Sequence, residues 1–242
     1  MYRSIAALLL CVATMVDARA ALYTFEFSGK ISSAWDSANP EVDAFIDPLG
    51  GVVSGNSVFH GTFSIDSDTP LTEKVEPWYD RTERAYQSGF INNTVQNNHM
   101  SVVFDQSGYI AQSDMGPTAS SLIRTSDSKP DLYGPPPYET FYFRPAPASG
   151  ALGNEIMSIF ILDHSEYLIS SKLPGNLEVT ETSVFSYQFS ENGTGREVSF
   201  YGYLDTLNLR SITLVPEPST YAMLLLGLLT VGAASYRQKR RG

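Results

Sequence analysis

The sequence predicts an all-β fold for the body of this chain, an antiparallel β-sandwich or jelly roll. Three observations carry that expectation. Aromatic and β-branched residues alternate with polar ones at period two in segment after segment. Gly, Pro, Asn and Asp collect between those segments, where turns need them. No stretch of residues 21–218 sustains an amphipathic helix, and only residues 79–86 offer a short helical turn.

The elements follow in order. Tyr23, Phe25 and Phe27 alternate with Thr24, Glu26 and Ser28, the pattern of a half-buried strand. Residues 57–65 repeat it, with Phe59 and Phe63 on one parity. Further strands are expected over 101–104, 138–143, 155–162, 177–189 (one strand or two), 196–203 and 207–215. Asn192-Gly193 marks a hairpin between 184–189 and 196–203, with a loop longer than two residues. No internal repeat is visible.

The two ends have a different composition. Arg3, then an apolar run from Ile5 to Val16, then Ala18-Arg19-Ala20 read as a signal peptide over residues 1–20. Signal peptidase would cut after Ala20 and leave Ala21 as the new N-terminus. Cys11 is the single cysteine, and Leu10 before it is not the small residue that a lipid-attachment box requires. At the other end, residues 219–236 carry no charge; eighteen helical residues span about 27 Å, close to a hydrocarbon core of about 30 Å. A transmembrane helix is expected at 221–236, with Tyr221 and Tyr236 at its borders. Arg237, Lys239, Arg240 and Arg241 follow as a cytoplasmic stop over 237–242. Residues 215–220 make an extended stalk, because each proline lacks an N–H and pushes its predecessor toward extended geometry. The ectodomain is thus expected over 21–214.

Charge narrows the function classes. The chain has 242 residues and a net charge of −10, and 10 of its 16 basic and 25 of its 26 acidic residues fall within 21–218, which leaves that stretch at −15. Such a surface excludes nucleic acid, whose phosphates need cationic partners. It favours neutral glycans, since a strongly anionic one would need a metal bridge. One cysteine excludes a disulfide scaffold and Cys-rich metal centres.

Val215, Pro216, Glu217 and Pro218, then an apolar helix containing LLLGLL, then the basic cluster, resemble the PEP-CTERM sorting signal of Gram-negative bacteria. The resemblance implies export, anchoring in the inner membrane, and processing by exosortase, a membrane transpeptidase, toward the cell surface or the extracellular matrix. Its carriers accompany exopolysaccharide and biofilm systems, and its ectodomains are diverse, so it implies sorting and not activity. YTFEFSGKI, GNSVFHGTFSIDSDTP and YGYLDTLNL resemble an uncharacterised all-β module found with such tails, which lends support to the fold alone.

The residues of the ectodomain offer few chemical candidates. No G-x-S-x-G, phosphate loop, H-E-x-x-H or G-x-G-x-x-G occurs. His164-Ser165-Glu166 lacks the cysteine half of a deaminase signature, and His60, His99 and His164 have no local metal spacing. Asp66 and Asp68, with Glu73 and Glu76 in reach if the loop folds back, could face one calcium ion; ordinary turn chemistry also explains Asp-Ser-Asp, and two carboxylates alone are few for calcium. No other cofactor is expected. Trp78 and Tyr79 sit in a polar loop where an aromatic pair can stack on a sugar ring or plug the core. Tyr133 to Tyr138 is a stiff proline-rich connection. Two classes follow: a non-enzymatic surface or matrix protein with a structural or carbohydrate-binding ectodomain, and a secreted polysaccharide-active hydrolase with an unrecognised carboxylate pair.

Stalk, helix and basic end act in series, so alanines at Pro216, Glu217 and Pro218 should leave membrane insertion intact and abolish processing. Fractionation of exosortase-positive cells measures this. Release of the mutant at the wild-type level would overturn the sorting assignment.

Overall fold

The computed structural model describes residues 20–67, 69, 71–76, 81–87, 98–114, 121–128, 138–163, 177, 179–180 and 182–215. The chain divides into a unit of residues 23–212 and a unit of residues 1–22 and 213–242, the latter described only at 20–22 and 213–215. Every regular element among the described residues is a strand. In chain order these are β1 (Ala20–Asp36), β2 (Ala44–Ile46), β3 (Val52–Ser54), β4 (Val58–Asp66), β5 (Leu71–Glu76), β6 (Arg81–Gln87) and β7 (His99–Phe104). There follow β8 (Tyr109–Gln112), β9 (Leu122–Ser128), β10 (Tyr138–Arg144), β11 (Ala148–Ser149), β12 (Gly153–Asp163), β13 (Thr182–Glu191) and β14 (Glu197–Val215).

Twelve strands form one sheet in the order β5-β6-β9-β10-β12-β13-β14-β1-β4-β7-β8, with β11 on β12, while β2 and β3 pair apart. Every pairing whose register is described is antiparallel. The strands that a sandwich would divide between two sheets are therefore joined edge to edge in one. That sheet bends over on itself, as twisted sheets beyond about ten strands do. Phe63 of β4 meets Phe143 of β10 at 5.3 Å between ring centroids, and Phe104 of β7 meets Tyr187 of β13 at the same distance. The wings around β4, β7 and β10, β12, β13 thus enclose an aromatic core.

The chain's first and last strands lie side by side at the bend, with 17 residues in β1 and 19 in β14. In each the inward phase slips by one: Ile31 and then Ala34 are buried in β1, Leu204 and then Leu207 in β14. An extra residue of this kind bends a strand and raises its twist. The segments 196–203 and 207–215, read from sequence as separate strands, are hence one bent strand. The 177–189 pattern yields a single strand, β13, and the expected helical turn at 79–86 gives way to β6.

Charged and polar residues fill most of β5 and β6, so hydrophobic periodicity does not mark them. Their register sets Glu73 opposite Arg84, Lys74 opposite Glu83 and Glu76 opposite Arg81, facing pairs of opposite sign that favour pairing. β5 is an edge, where charge also discourages pairing with another chain. The other unforeseen strands (β2, β3, β8, β9, β11) have seven residues or fewer, too short for a clear period.

The Asn192-Gly193 hairpin joins β13 and β14, with Gly193 at φ +84° and Glu191 N–H donating to Arg196 C=O at 2.9 Å. Arg196 forks onto Asp36 through Nε and Nη2 at 3.0 and 2.5 Å and also donates to the Ile46 carbonyl, tying β1, β2 and the hairpin together. That guanidinium holds the Asp36 carboxyl below the usual carboxylate range.

Phe59 of β4 sits over backbone that carries no side chains. A Cβ on Gly29 would lie 2.6 Å from Phe59 Cζ and 2.2 Å from the Tyr203 carbonyl oxygen, and one on Gly202 would lie 2.5 Å from Phe59 Cε1. Gly29→Ala should therefore lower stability by about 1–3 kcal/mol. Gly150→Ala, whose Cβ would meet nothing closer than 3.9 Å, should stay within about 0.5 kcal/mol of wild type. Denaturant midpoints compare the two, and equal midpoints would refute the packing account.

Candidate functional site

The described interior is filled with rings, and its one aromatic-lined carboxylate is sealed in. Phe25 stacks on Phe63 at 4.9 Å, and Phe45 of β2 stacks on Phe200 at 5.5 Å and closes one end. Glu155 of β12 faces inward at 9% exposure and accepts hydrogen bonds on Oε1 from Tyr109 of β8 and, at 2.6 Å, from Tyr187 of β13. The contact bridges the two wings of the sheet. Burial foremost, and Glu155 next, push both phenols well above the usual tyrosine range. In the β2–β3 turn Asp47 accepts from the Leu49 and Gly51 N–H groups on Oδ1, while its buried Oδ2 has no partner among the described residues.

The outer face of the sheet is open. Trp35 of β1 and Tyr201 of β14 line a hollow of about 260 Å³ with Ser33, Ser186, Gln188 and Ser199. Tyr203 stands edge-on to Tyr201 at 6.4 Å. These three rings are 40, 46 and 49% exposed, far from the usual burial of large aromatics. The bends in β1 and β14 matter here, since the phase slip at Ser32-Ser33 turns Trp35 outward. A second hollow, of about 370 Å³, is lined by Glu26, Phe27, Ser28, His60, Thr62 and Val103 among others. A third, of about 580 Å³, crosses β9, β10 and β12.

The residues singled out in the sequence fare unevenly. Asp66 ends β4 at 4% exposure; its N–H donates to Asn98 Oδ1, and its carbonyl accepts from Thr69 N–H and Oγ1. Asn98 in turn donates to Thr69 and Ser121, so the turn after β4 is organised by a buried amide. Asp68 lies outside the described residues. Glu73 and Glu76 stand in strand β5, not in a loop folding back toward Asp66. Among the described residues no group of three His, Cys, Asp or Glu side chains could hold a metal ion.

His60 is exposed and pairs through Nδ1 with Asp105 at 2.7 Å. His99 is half-buried, and burial pushes its pKa down. The register puts His99 opposite Ser64, four residues from His60, so the two imidazoles do not converge. His164, Trp78, Tyr79, Tyr133 and the signal peptide up to Arg19 lie outside the described residues. Ala20 and Ala21 open β1, and Val215 closes β14; Pro216, Glu217, Pro218, Arg237, Lys239, Arg240 and Arg241 lie outside the described residues. Among the described residues no helix is long and apolar enough to cross a membrane, and the span expected at 221–236 is outside them.

Sequence reasoning missed Trp35 and the two tyrosines as surface groups. The signal was present: once Phe200 and Leu204 are assigned inward, Tyr201 and Tyr203 must point outward.

The fold and these surfaces define an all-β domain with a closed aromatic interior and aromatic residues displayed outside. Comparison with known families then finds a PEP-CTERM protein-sorting motif at residues 214–241. The chain is accordingly an exported protein with a C-terminal, membrane-anchored sorting signal of the kind that exosortase processes. No curated protein and no solved structure matches the chain.

The Tyr187–Glu155 contact has a pH signature. Raised phenol pKa values in the folded state mean that its stability is full below about pH 10, where unfolded tyrosines ionise, and declines above it. Tyr187→Phe should cost about 1–3 kcal/mol near neutrality and make the alkaline decline shallower. Denaturant midpoints between about pH 8 and 11 measure both. A decline as steep as in wild type would exclude this origin.

Proposed function

We propose that this exosortase-sorted protein serves at the cell surface or in the extracellular matrix as a non-catalytic module that holds exopolysaccharide. The observation that carries this reading is the cluster of Trp35, Tyr201 and Tyr203 on the outer face, beside the hydroxyl and amide groups of Ser186, Gln188 and Ser199. Flat rings bury the C–H faces of sugars, and flanking hydroxyls and amides bond their oxygens. The −15 charge of residues 21–218 favours a chain of mainly neutral sugars. The sorting motif supplies the compartment in which such a ligand is met.

A polysaccharide-active hydrolase would need two carboxyls about 5–9.5 Å apart across an open cleft. Glu155, ringed by aromatics, is committed to two tyrosine hydroxyls and buried, which favours the non-catalytic reading. A calcium ion at Asp66 and Asp68 stays part of the proposal as a stabilising ligand and not as a catalyst.

Glycan retention by full-length protein in detergent tests the reading. Trp35→Ala and Tyr201→Ala should each weaken retention by about 1–3 kcal/mol, with circular dichroism unchanged because both rings lie outside the core. Trp78→Ala tests the ring pair chosen from sequence in the same assay. Retention of no glycan, or hydrolysis of a polysaccharide, would overturn the proposal.

A further inference from the structure

We infer that the groove across β9, β10 and β12 binds a carboxylate-bearing sugar unit, of the uronate class, within an otherwise neutral glycan. This rests on the glycan reading above and adds to it the charge class of one sugar and a second site. The groove lies on the outer face, because Phe141, Phe143, Ile159 and Ile161 on the same strands are fully buried and their neighbours point away from them.

The register assembles the groove. Arg124 of β9 stands opposite Tyr142 of β10, and Tyr142 stands opposite Phe160 of β12, so a cation and two rings form one row across three strands. At about 4.8 Å between strands that row spans about 10 Å, the width of one or two sugar rings. Arg144 lies two residues farther along β10, on the same side as Tyr142, and Leu122 and Leu162 complete the walls. The hollow measures about 580 Å³, within the usual range for a bound ligand of this size.

Charge selects the occupant. Residues 21–218 hold 10 basic side chains against 25 acidic ones, yet two arginines share this groove and none of its described lining residues is acidic. Arg144 Nε is buried and has no hydrogen-bond partner among the described residues. A buried donor is ordinarily paired, and a guanidinium fork matches the two oxygens of a carboxylate. Tyr142 and Phe160 are half-buried rings beside it, suited to the apolar face of a sugar whose carboxylate reaches Arg144. A densely charged polyanion fits poorly, since the rest of the domain repels it. An isolated uronate among neutral sugars meets both constraints.

The test applies full-length protein in detergent to an array of matched oligosaccharides, each with one glucuronate or galacturonate unit and its neutral glucose or galactose counterpart. The uronate member of a pair should be retained at least tenfold better. Arg144→Gln should remove that preference, Arg144→Lys should restore part of it, and Trp35→Ala should lower both members alike. On wild-type protein, free glucuronate should compete and glucose should not, a readout that needs no variant to fold. Equal retention of both members, or a preference that persists in Arg144→Gln, would overturn this inference and leave the neutral-glycan reading standing. Retention of neither would overturn both. Competition by polyglutamate as strong as by glucuronate would reassign the groove to an acidic peptide and refute the sugar.

Discussion

The contact of the Phe59 ring with bare backbone at Gly29 and Gly202 is the constraint on which the rest of the structure depends. It lies where the first and last strands run side by side, and three strands meet there with room for one ring and no Cβ. From Phe59 the aromatic contacts spread to Phe185 at 5.0 Å and Phe27 at 6.3 Å, and through them to both wings. Glycine in a strand interior is a local cost, and a ring laid over it recovers the lost packing. A single sheet can bend into a two-layered core here because its inner corner is this thin.

Bending determines where function can reside. Among the described residues the interior is filled by rings, and Glu155 is held there between Tyr109 and Tyr187. The outer face is the larger resource. The slips of phase that let β1 and β14 turn the corner also rotate residues that would otherwise face the core, and Trp35 reaches solvent for that reason. Display of rings outside and closure within are two results of one geometry.

Charge is distributed to match. Acidic residues outnumber basic ones in 21–218, the register of edge strand β5 sets charged positions opposite ones of opposite sign on β6, and two of the few arginines line one groove. A third arginine, Arg196, is consumed in holding Asp36 at the hairpin and has a structural task. Among the described residues, three of the few arginines thus have assigned places in the fold.

The sequence by itself determined the address and the class of fold. The sorting signal is legible because its parts are local: two prolines, an apolar run and a basic cluster act in linear order, and the match at residues 214–241 covers them. The strands richest in rings were legible for a similar reason, since the alternation around Phe25, Phe59 and Phe185 is a property of each segment alone. Only the tertiary structure decided that these strands form one folded sheet instead of two, because edge-to-edge pairing is set by contacts far apart in sequence. It also decided the candidate sites. Trp35 joins Tyr201 across more than 160 residues of chain, and Arg124, Tyr142 and Phe160 share a row only through strand register. A surface made of side chains from three strands has no signature in any one of them.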